Sequence, residues 1–290
     1  MKSTFLSRLQ GNARYAMIGA LILIIGVPVY QLLVLAPAGY GNALTSVAQS
    51  LGWIRAHVAL FLGYRVLLIV GFALMLGLPF TLFRIIIAQE ILGREEDEDE
   101  DEEVDSAAED GQEEAALAQD DRPVDRDVGD AVGAEDASGT AGMEAGMPDF
   151  AWRGRGFAVL AAWLGVGGLV LFPLMTLVST LYLLINAASS SAPLTGLFAI
   201  LTFTVGGGLL ALSCLFFGAV ITRSGRRLWP DSWLALGYAA IAIALLLSGS
   251  AGEVAVNSNA GQSFLSTPAI LLFALWVLWF GVMVVRLKPE

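Results

Sequence analysis

The sequence has one cysteine, one histidine and two lysines among its 290 residues. A lone Cys214 excludes an intramolecular disulfide and a cysteine-based metal cluster. A lone His57 excludes any site that needs two imidazoles, and a metal bound there would lack further ligands nearby. Two lysines against fourteen arginines fit a GC-rich genome and a halophile-like proteome equally well.

Charge is missing from the long apolar segments. The acidic and basic residues lie at segment ends or in loops, with Arg65, Arg84 and Glu90 nearest to the apolar parts. An ionisable residue inside a transmembrane segment is by default a candidate for a functional site. Without one, a protein lacks the titratable group that proton-coupled transport and acid–base catalysis within a bilayer usually use.

Catalytic and cofactor motifs are missing as well. The sequence contains no phosphate-binding loop, dinucleotide fingerprint, nucleophile elbow or His-Glu-x-x-His motif. In the topology derived below, Cys214 and His57 differ in membrane depth by roughly 20 Å or more, too far for a Cys–His dyad. We therefore expect no enzymatic activity and no cofactor.

Apolar residues are abundant instead: 56% of the chain is hydrophobic and the mean hydropathy is +0.70, too apolar for a protein surrounded by water. A helix needs about 20 apolar residues to cross the hydrocarbon core. The longest uncharged run, residues 156–222, holds two such spans on either side of a polar turn. The same reasoning predicts an all-α polytopic membrane protein with six spans, at about 15–36, 65–87, 156–185, 194–222, 233–249 and 268–286.

The basic residues predict the orientation of these spans. If the N-terminus is cytoplasmic, 14 of the 16 basic residues lie inside and only Arg55 and Arg65 lie outside, as the positive-inside rule requires. We therefore expect a multi-pass protein of the plasma membrane with both termini in the cytoplasm. The first apolar stretch, of about 20 residues, is longer than the core of a signal peptide, so we expect it to be retained.

One acidic insert separates two membrane units. Residues 95–149 hold 23 of the 27 carboxylates and two arginines, whereas the rest of the chain is net basic. Mutual repulsion and few apolar residues predict that this cytoplasmic insert is disordered. It divides the chain into a two-span unit, 1–94, and a four-span unit, 150–290.

The densest part of the insert is a candidate docking segment. It could attract a basic cytoplasmic protein or other membrane subunits in a salt-dependent way, or it could be a solvated linker without a specific partner. Nucleic acid is not expected as a partner, because its phosphates would be repelled. The segment consists of Glu95, Glu96, Asp97, Glu98, Asp99, Glu100, Asp101, Glu102 and Glu103.

The loop after the first span carries a helical pattern. Between about 43 and 62, apolar residues recur at spacings of three and four, which indicates an amphipathic helix. It would lie on the outer membrane surface or pack on the other spans. An extension of the second span with one packed face explains the pattern equally well. The apolar positions are Leu44, Val47, Leu51, Ile54, Val58 and Phe61.

Three consecutive glycines in the fourth span are the most unusual apolar feature. One interpretation is a broken helix whose free carbonyls line a solute path, with nearby hydroxyl groups as further ligands. The other is close helix packing, which small residues permit. The candidate path residues are Gly206, Gly207, Gly208, Thr202, Thr204 and Ser213.

These observations favour a non-catalytic membrane scaffold or accessory subunit in contact with the lipid bilayer, with the acidic insert as its docking element. A channel or facilitator for a small solute, with its path along the glycine-rich fourth span, is the second hypothesis. An intramembrane enzyme is the third.

Overall fold

The computed structural model describes residues 3–40, 47–89, 148–189, 191–256 and 265–287, and these residues contain helices and turns but no strand. The predicted docking segment, and the acidic insert as far as residue 147, lie outside the described residues. Contacts divide the chain into one compact unit formed by Met1–Ile86 with Gly156–Glu290, and a second unit, Ile87–Arg155. The packing described below belongs to the first unit.

Seven helical elements, α1 to α7, follow one another along the described residues. Two of them, α1 and α5, contain wider π-helical turns. The elements are α1 (Ser3–Leu21, Ile22–Gly26, Val27–Tyr30 and Gln31–Leu35), α2 (Val47–Ala56), α3 (Val58–Leu74, continuing after a turn at 75–77 to residue 89), α4 (Pro148–Ile185, followed by the short Asn186–Ala188), α5 (Thr195–Ala199, Ile200–Gly206 and Gly207–Leu228), α6 (Asp231–Val256) and α7 (Ser266–Val285).

Six of these helices are long and apolar enough to cross a membrane. This number, found among the described residues, confirms the predicted all-α polytopic fold. The reason is physical: a bilayer core offers no water to unpaired backbone groups, so each crossing segment must satisfy them within a helix. The spans are Ser7–Leu35, Val58–Gln89, Gly156–Ala188, Thr195–Arg226, Asp231–Val256 and Ser266–Val285.

The second span begins earlier than predicted, at Val58 instead of about residue 65. Arg65 does not end the apolar helix, because its guanidinium lies over the ring of Phe61, with Cζ 5.0 Å from the ring centroid. The fifth span is likewise longer than predicted and includes Glu253. That carboxylate accepts a hydrogen bond of 3.2 Å from the backbone N–H of Leu265, which precedes α7.

The loop between the first two spans contains a separate short helix, α2. It ends at Ala56. The backbone of the next residue, His57, is not helical (φ −131°, ψ 44°), and α3 begins after it. Leu51 and Ile54 are buried, whereas Val47 is exposed. The helix packs against Asn186–Ala188 and α3, so its apolar face contacts other parts of the bundle.

Glycines lie where the helices approach most closely. A Cβ built on Gly19 of α1 would lie 2.5 Å from the carbonyl oxygen of Gly71 in α3. A Cβ on Gly218 of α5 would lie 2.7 Å from the carbonyl oxygen of Gly237 in α6. A Cβ on Gly281 of α7 would meet Met17 of α1. Small residues allow such contacts, and in lipid close van der Waals packing replaces the hydrophobic effect as a source of helix association.

Aromatic side chains fill the interior between α6 and α7. The Phe280 ring is edge-on to Trp233, with centroids 6.0 Å apart, and stacks on Trp276 at 6.4 Å. The indole N–H of Trp276 donates a buried hydrogen bond of 3.0 Å to the carbonyl of Leu236. The bond satisfies the one polar atom of that side chain, so α6 and α7 are joined by packing and by a specific polar contact.

The outer surface of the bundle is apolar as well. Large aliphatic side chains of all six spans are exposed, among them Leu33, Leu181 and Leu245. A soluble protein rarely exposes such continuous apolar surface. We conclude that these faces contact the lipid bilayer, and that the chain is an integral membrane protein.

Candidate functional site

The backbone of α5 does not break at the three glycines. Gly206 (φ −62°, ψ −45°) and Gly207 (φ −64°, ψ −40°) are both right-handed helical. The broken helix that the solute-path hypothesis assumed is therefore wrong for this segment. The helix widens instead, because Ile200–Gly206 forms π-helical turns, a distortion that is frequent at functional sites. The solute path itself stays a prediction.

The three glycines have different surroundings. A Cβ on Gly206 would lie 3.2 Å from the ring of Phe172 in α4, and the Gly206 carbonyl oxygen lies 3.0 Å from where a Cβ on Gly168 would be. A Cβ on Gly207 or Gly208 would meet no atom within 4 Å. Of the three, only Gly206 is in close contact with another helix.

The hydroxyl groups of the candidate path are all used as donors to backbone carbonyls. Thr202 donates to Phe198 on its own helix at 2.7 Å. Thr204 and Ser213 donate to other helices, and the acceptors are the carbonyls of Ala251 in α6 at 3.0 Å and Ala161 in α4 at 2.8 Å. The three hydroxyls thus face three different elements, and two of them tie α5 to its neighbours.

A small cavity lies beside Ser213. Its volume is about 10 Å³, which is close to the least that accommodates one water molecule. The lining residues are largely apolar, and Ser213, Cys214 and Trp276 are those that carry a polar atom in the side chain. A void of this size fits a packing defect between helices better than a segment of a hydrated path.

We expect Ser213→Ala to lower the free energy of unfolding by about 0.6–2 kcal/mol, the range for one interhelical hydrogen bond in a membrane protein. The substitution removes the donor to the carbonyl of Ala161, which then keeps only its backbone hydrogen bond within α4. Thermal unfolding in a mild detergent measures the effect. Ser248→Ala, at an exposed position of α6, is the matched control and should change stability little. Equal effects of the two substitutions would contradict the role assigned to Ser213.

Arg65 of α3 is a candidate residue that the sequence interpretation missed. The sequence predicts it at the start of the second span, but it lies seven residues inside that span. Its Nε is buried and has no hydrogen-bond partner within the described residues. The contact of the guanidinium with the Phe61 ring is a cation–π interaction, which does not give its N–H groups a hydrogen-bond acceptor such as a carboxylate.

Aromatic and polar side chains surround this arginine. Tyr64 precedes Arg65 in α3, and its ring lies 6.4 Å from the ring of Tyr40. Gln31 donates to the Tyr64 hydroxyl at 2.9 Å. Trp53 lies against Tyr40 with ring centroids 4.8 Å apart. We call Arg65, Tyr64, Tyr40 and Gln31 the Arg65 cluster.

A spacing in the sequence could have revealed this region. Trp53, His57, Phe61 and Arg65 recur at every fourth position, which places them along one side of a helix. In the structure Trp53 stacks on His57 with centroids 4.9 Å apart, and Arg65 stacks on Phe61. The apolar positions of this segment alone do not reveal the pattern, because His57 and Arg65 are polar members of it.

Among the residues that the structure describes, no group of three or more His, Cys, Asp or Glu side chains could hold a metal ion. Comparison with protein-family models, with curated proteins and with solved structures finds no match. The class of the protein is therefore assigned from its fold and composition. The chain is an all-α integral membrane protein whose described part has six helices able to span the bilayer.

Proposed function

We propose that this protein is a non-catalytic scaffold or accessory subunit of a membrane assembly, and that its acidic insert docks a basic partner. The main observation behind this proposal is that the residues of the candidate solute path contact neighbouring helices. Ser213 and Thr204 bond to neighbouring helices, and Gly206 is in close contact with α4. A bundle built this way supports a structural role better than conduction.

The acidic insert supplies the docking part of the proposal. Its 23 carboxylates create a strong negative field, which speeds the encounter with a basic surface and weakens as salt is added. In the proposed topology both termini and the insert face the cytoplasm, and the protein resides in the plasma membrane. The orientation follows from the distribution of arginines and lysines.

The docking proposal is tested by affinity purification of the intact chain from membranes in a mild detergent. A chain that lacks residues 95–149 is compared at low and at high salt. A second variant keeps the length of the insert but carries amides in place of the nine carboxylates of 95–103. We expect a stoichiometric partner with the intact chain at low salt, and its loss upon deletion, upon neutralisation and at high salt. The same set of proteins in every condition would contradict docking.

A facilitator for a small solute is the second candidate. It is favoured by the π-helical turns of Ile200–Gly206 and by the open space beside Gly207 and Gly208. A functional path there would make flux through liposomes sensitive to Gly207→Leu at unchanged stability, since a side chain at this position meets no neighbouring atom within 4 Å of its Cβ.

A further inference from the structure

The Arg65 cluster contains a cation and two hydroxyl donors that have no assigned acceptor within the described residues. A guanidinium whose Nε is buried loses the hydrogen bonds that it would make to water. The hydroxyl of Tyr64 accepts a hydrogen bond from Gln31, so its own hydrogen is available to an incoming acceptor. Such an arrangement offers a positive charge and hydrogen-bond donors to an anion.

The depth of Arg65 indicates where that anion comes from. The second span has 32 residues and would be about 48 Å long at 1.5 Å per residue, which exceeds the hydrocarbon core by about 18 Å. Centred in a bilayer, the helix extends about 9 Å beyond the core at each end. Arg65 lies about 10 Å from the helix start at Val58, at the boundary between hydrocarbon and headgroups.

The surroundings fit a lipid. Leu62 and Val66, on either side of Arg65 in the chain, are exposed and offer an apolar surface to acyl chains. Trp53, Tyr40 and Tyr64 are of the amphipathic type that prefers the headgroup level. A guanidinium is suited to phosphate because its planar fork presents several N–H donors to the phosphate oxygens.

We propose that the Arg65 cluster binds the phosphate group of an anionic phospholipid. Arg65 supplies the charge and the main hydrogen bonds, the Tyr64 hydroxyl donates to a further phosphate oxygen, and the acyl chains lie along the exposed face of α3. Gln31 is a positioning residue, because its bond fixes the Tyr64 hydroxyl. This binding site is independent of the proposed docking role of the insert.

The test is native mass spectrometry of the full chain in a mild detergent. The lipids are phosphatidylglycerol and, as a phosphate-free control, a diacylglycerol with the same acyl chains. We expect retention of phosphatidylglycerol alone, and a weakening of binding by about tenfold or more in Arg65→Gln, as the loss of a charged hydrogen bond implies. Arg55→Gln removes an exposed arginine of α2 and should leave retention unchanged.

Two further arms separate the outcomes. Tyr64→Phe keeps the ring and the charge of the site, and a weakening of several-fold would support the proposal even if Arg65→Gln failed to fold. Inorganic phosphate that raises the melting temperature of the wild type but not of Arg65→Gln or Tyr64→Phe would support a phosphate site filled from solution. Equal retention of phosphatidylglycerol by the wild type and both variants, with no effect of inorganic phosphate, would overturn the proposal.

Discussion

Gly218→Ala is expected to lower the free energy of unfolding by about 1–3 kcal/mol, as overpacking of a well-filled interior does. The new Cβ would lie 2.7 Å from the carbonyl oxygen of Gly237 and 2.8 Å from Cγ1 of Ile241. The first of these is a backbone atom of α6, so no change of side-chain rotamer can relieve the overlap with the new methyl group. Relief requires that α5 and α6 move apart along their shared interface.

Gly208→Ala is the matched control for this substitution. It changes the same residue type in the same helix, but its Cβ would meet no atom within 4 Å. Alanine favours a helix over glycine by up to about 1 kcal/mol, so Gly208→Ala should be neutral or slightly stabilising. Reversible unfolding in mixed micelles measures both. A loss of stability in Gly208→Ala as large as that in Gly218→Ala would contradict the packing that the structure assigns to α5 and α6.

Phe280→Ala should have a still larger effect, a loss of about 3–5 kcal/mol. The Phe280 side chain is fully buried, with 0% of its surface exposed, between Trp233 and Trp276. Removing the ring leaves a cavity that two rigid indoles cannot readily fill. The dispersion contacts of the ring are lost outright, and in a membrane no hydrophobic effect between helices replaces them.

Trp279→Ala is the control, because Trp279 is the adjacent residue and is 39% exposed. It removes a larger side chain from the lipid-facing side and should change stability much less. Thermal unfolding in detergent gives the ranking, and near-UV circular dichroism reports the environment of Trp233 and Trp276. A greater loss in Trp279→Ala than in Phe280→Ala would show that α7 is oriented with its other face toward the bundle.

The six spans could be predicted because hydropathy and charge act locally. About 20 apolar residues suffice to cross a bilayer, whatever the neighbouring helices are. Three boundaries were misplaced for the same reason: the starts of the first and second spans and the end of the fifth. A charged residue was read as the end of a span, although Arg65 is accommodated by the ring of Phe61 and Glu253 by the N–H of Leu265.

The helix partners could not be predicted from the sequence. Three adjacent glycines look equivalent in a one-dimensional pattern, yet only Gly206 lies against another helix. The isolated Gly218 is more crowded than any of them, since the backbone of α6 passes beside it. Which small residue is needed depends on how the helices cross, and that is set by contacts between residues distant in the chain.

The same limit applied to the candidate sites. Ser213 and Thr204 were predicted as ligands of a solute because their hydroxyl groups are polar groups within an apolar span. Their acceptors, Ala161 and Ala251, are 52 and 47 residues away in the sequence. Conversely, the four-residue spacing of Phe61 and Arg65 indicates their contact, but no local pattern indicates that the Arg65 Nε is buried without a partner among the described residues.

The interior around α5 is closed and packed. The chain offers a direct test in its only cysteine, Cys214, which is buried and lines the small cavity beside Ser213. The measurement is the rate at which a membrane-impermeant methanethiosulfonate reagent labels Cys214 in the folded protein in liposomes, permeabilised so that both faces are reached. Ser232→Cys in a Cys214→Ser background, at an exposed position of α6, serves as the accessible reference.

The packed interior predicts rapid labelling of the reference cysteine and no labelling of Cys214 until the protein is unfolded. Labelling of native Cys214 at a rate near that of the reference would mean that water and reagent reach the interior beside α5. That result would contradict the scaffold proposal and favour the solute path.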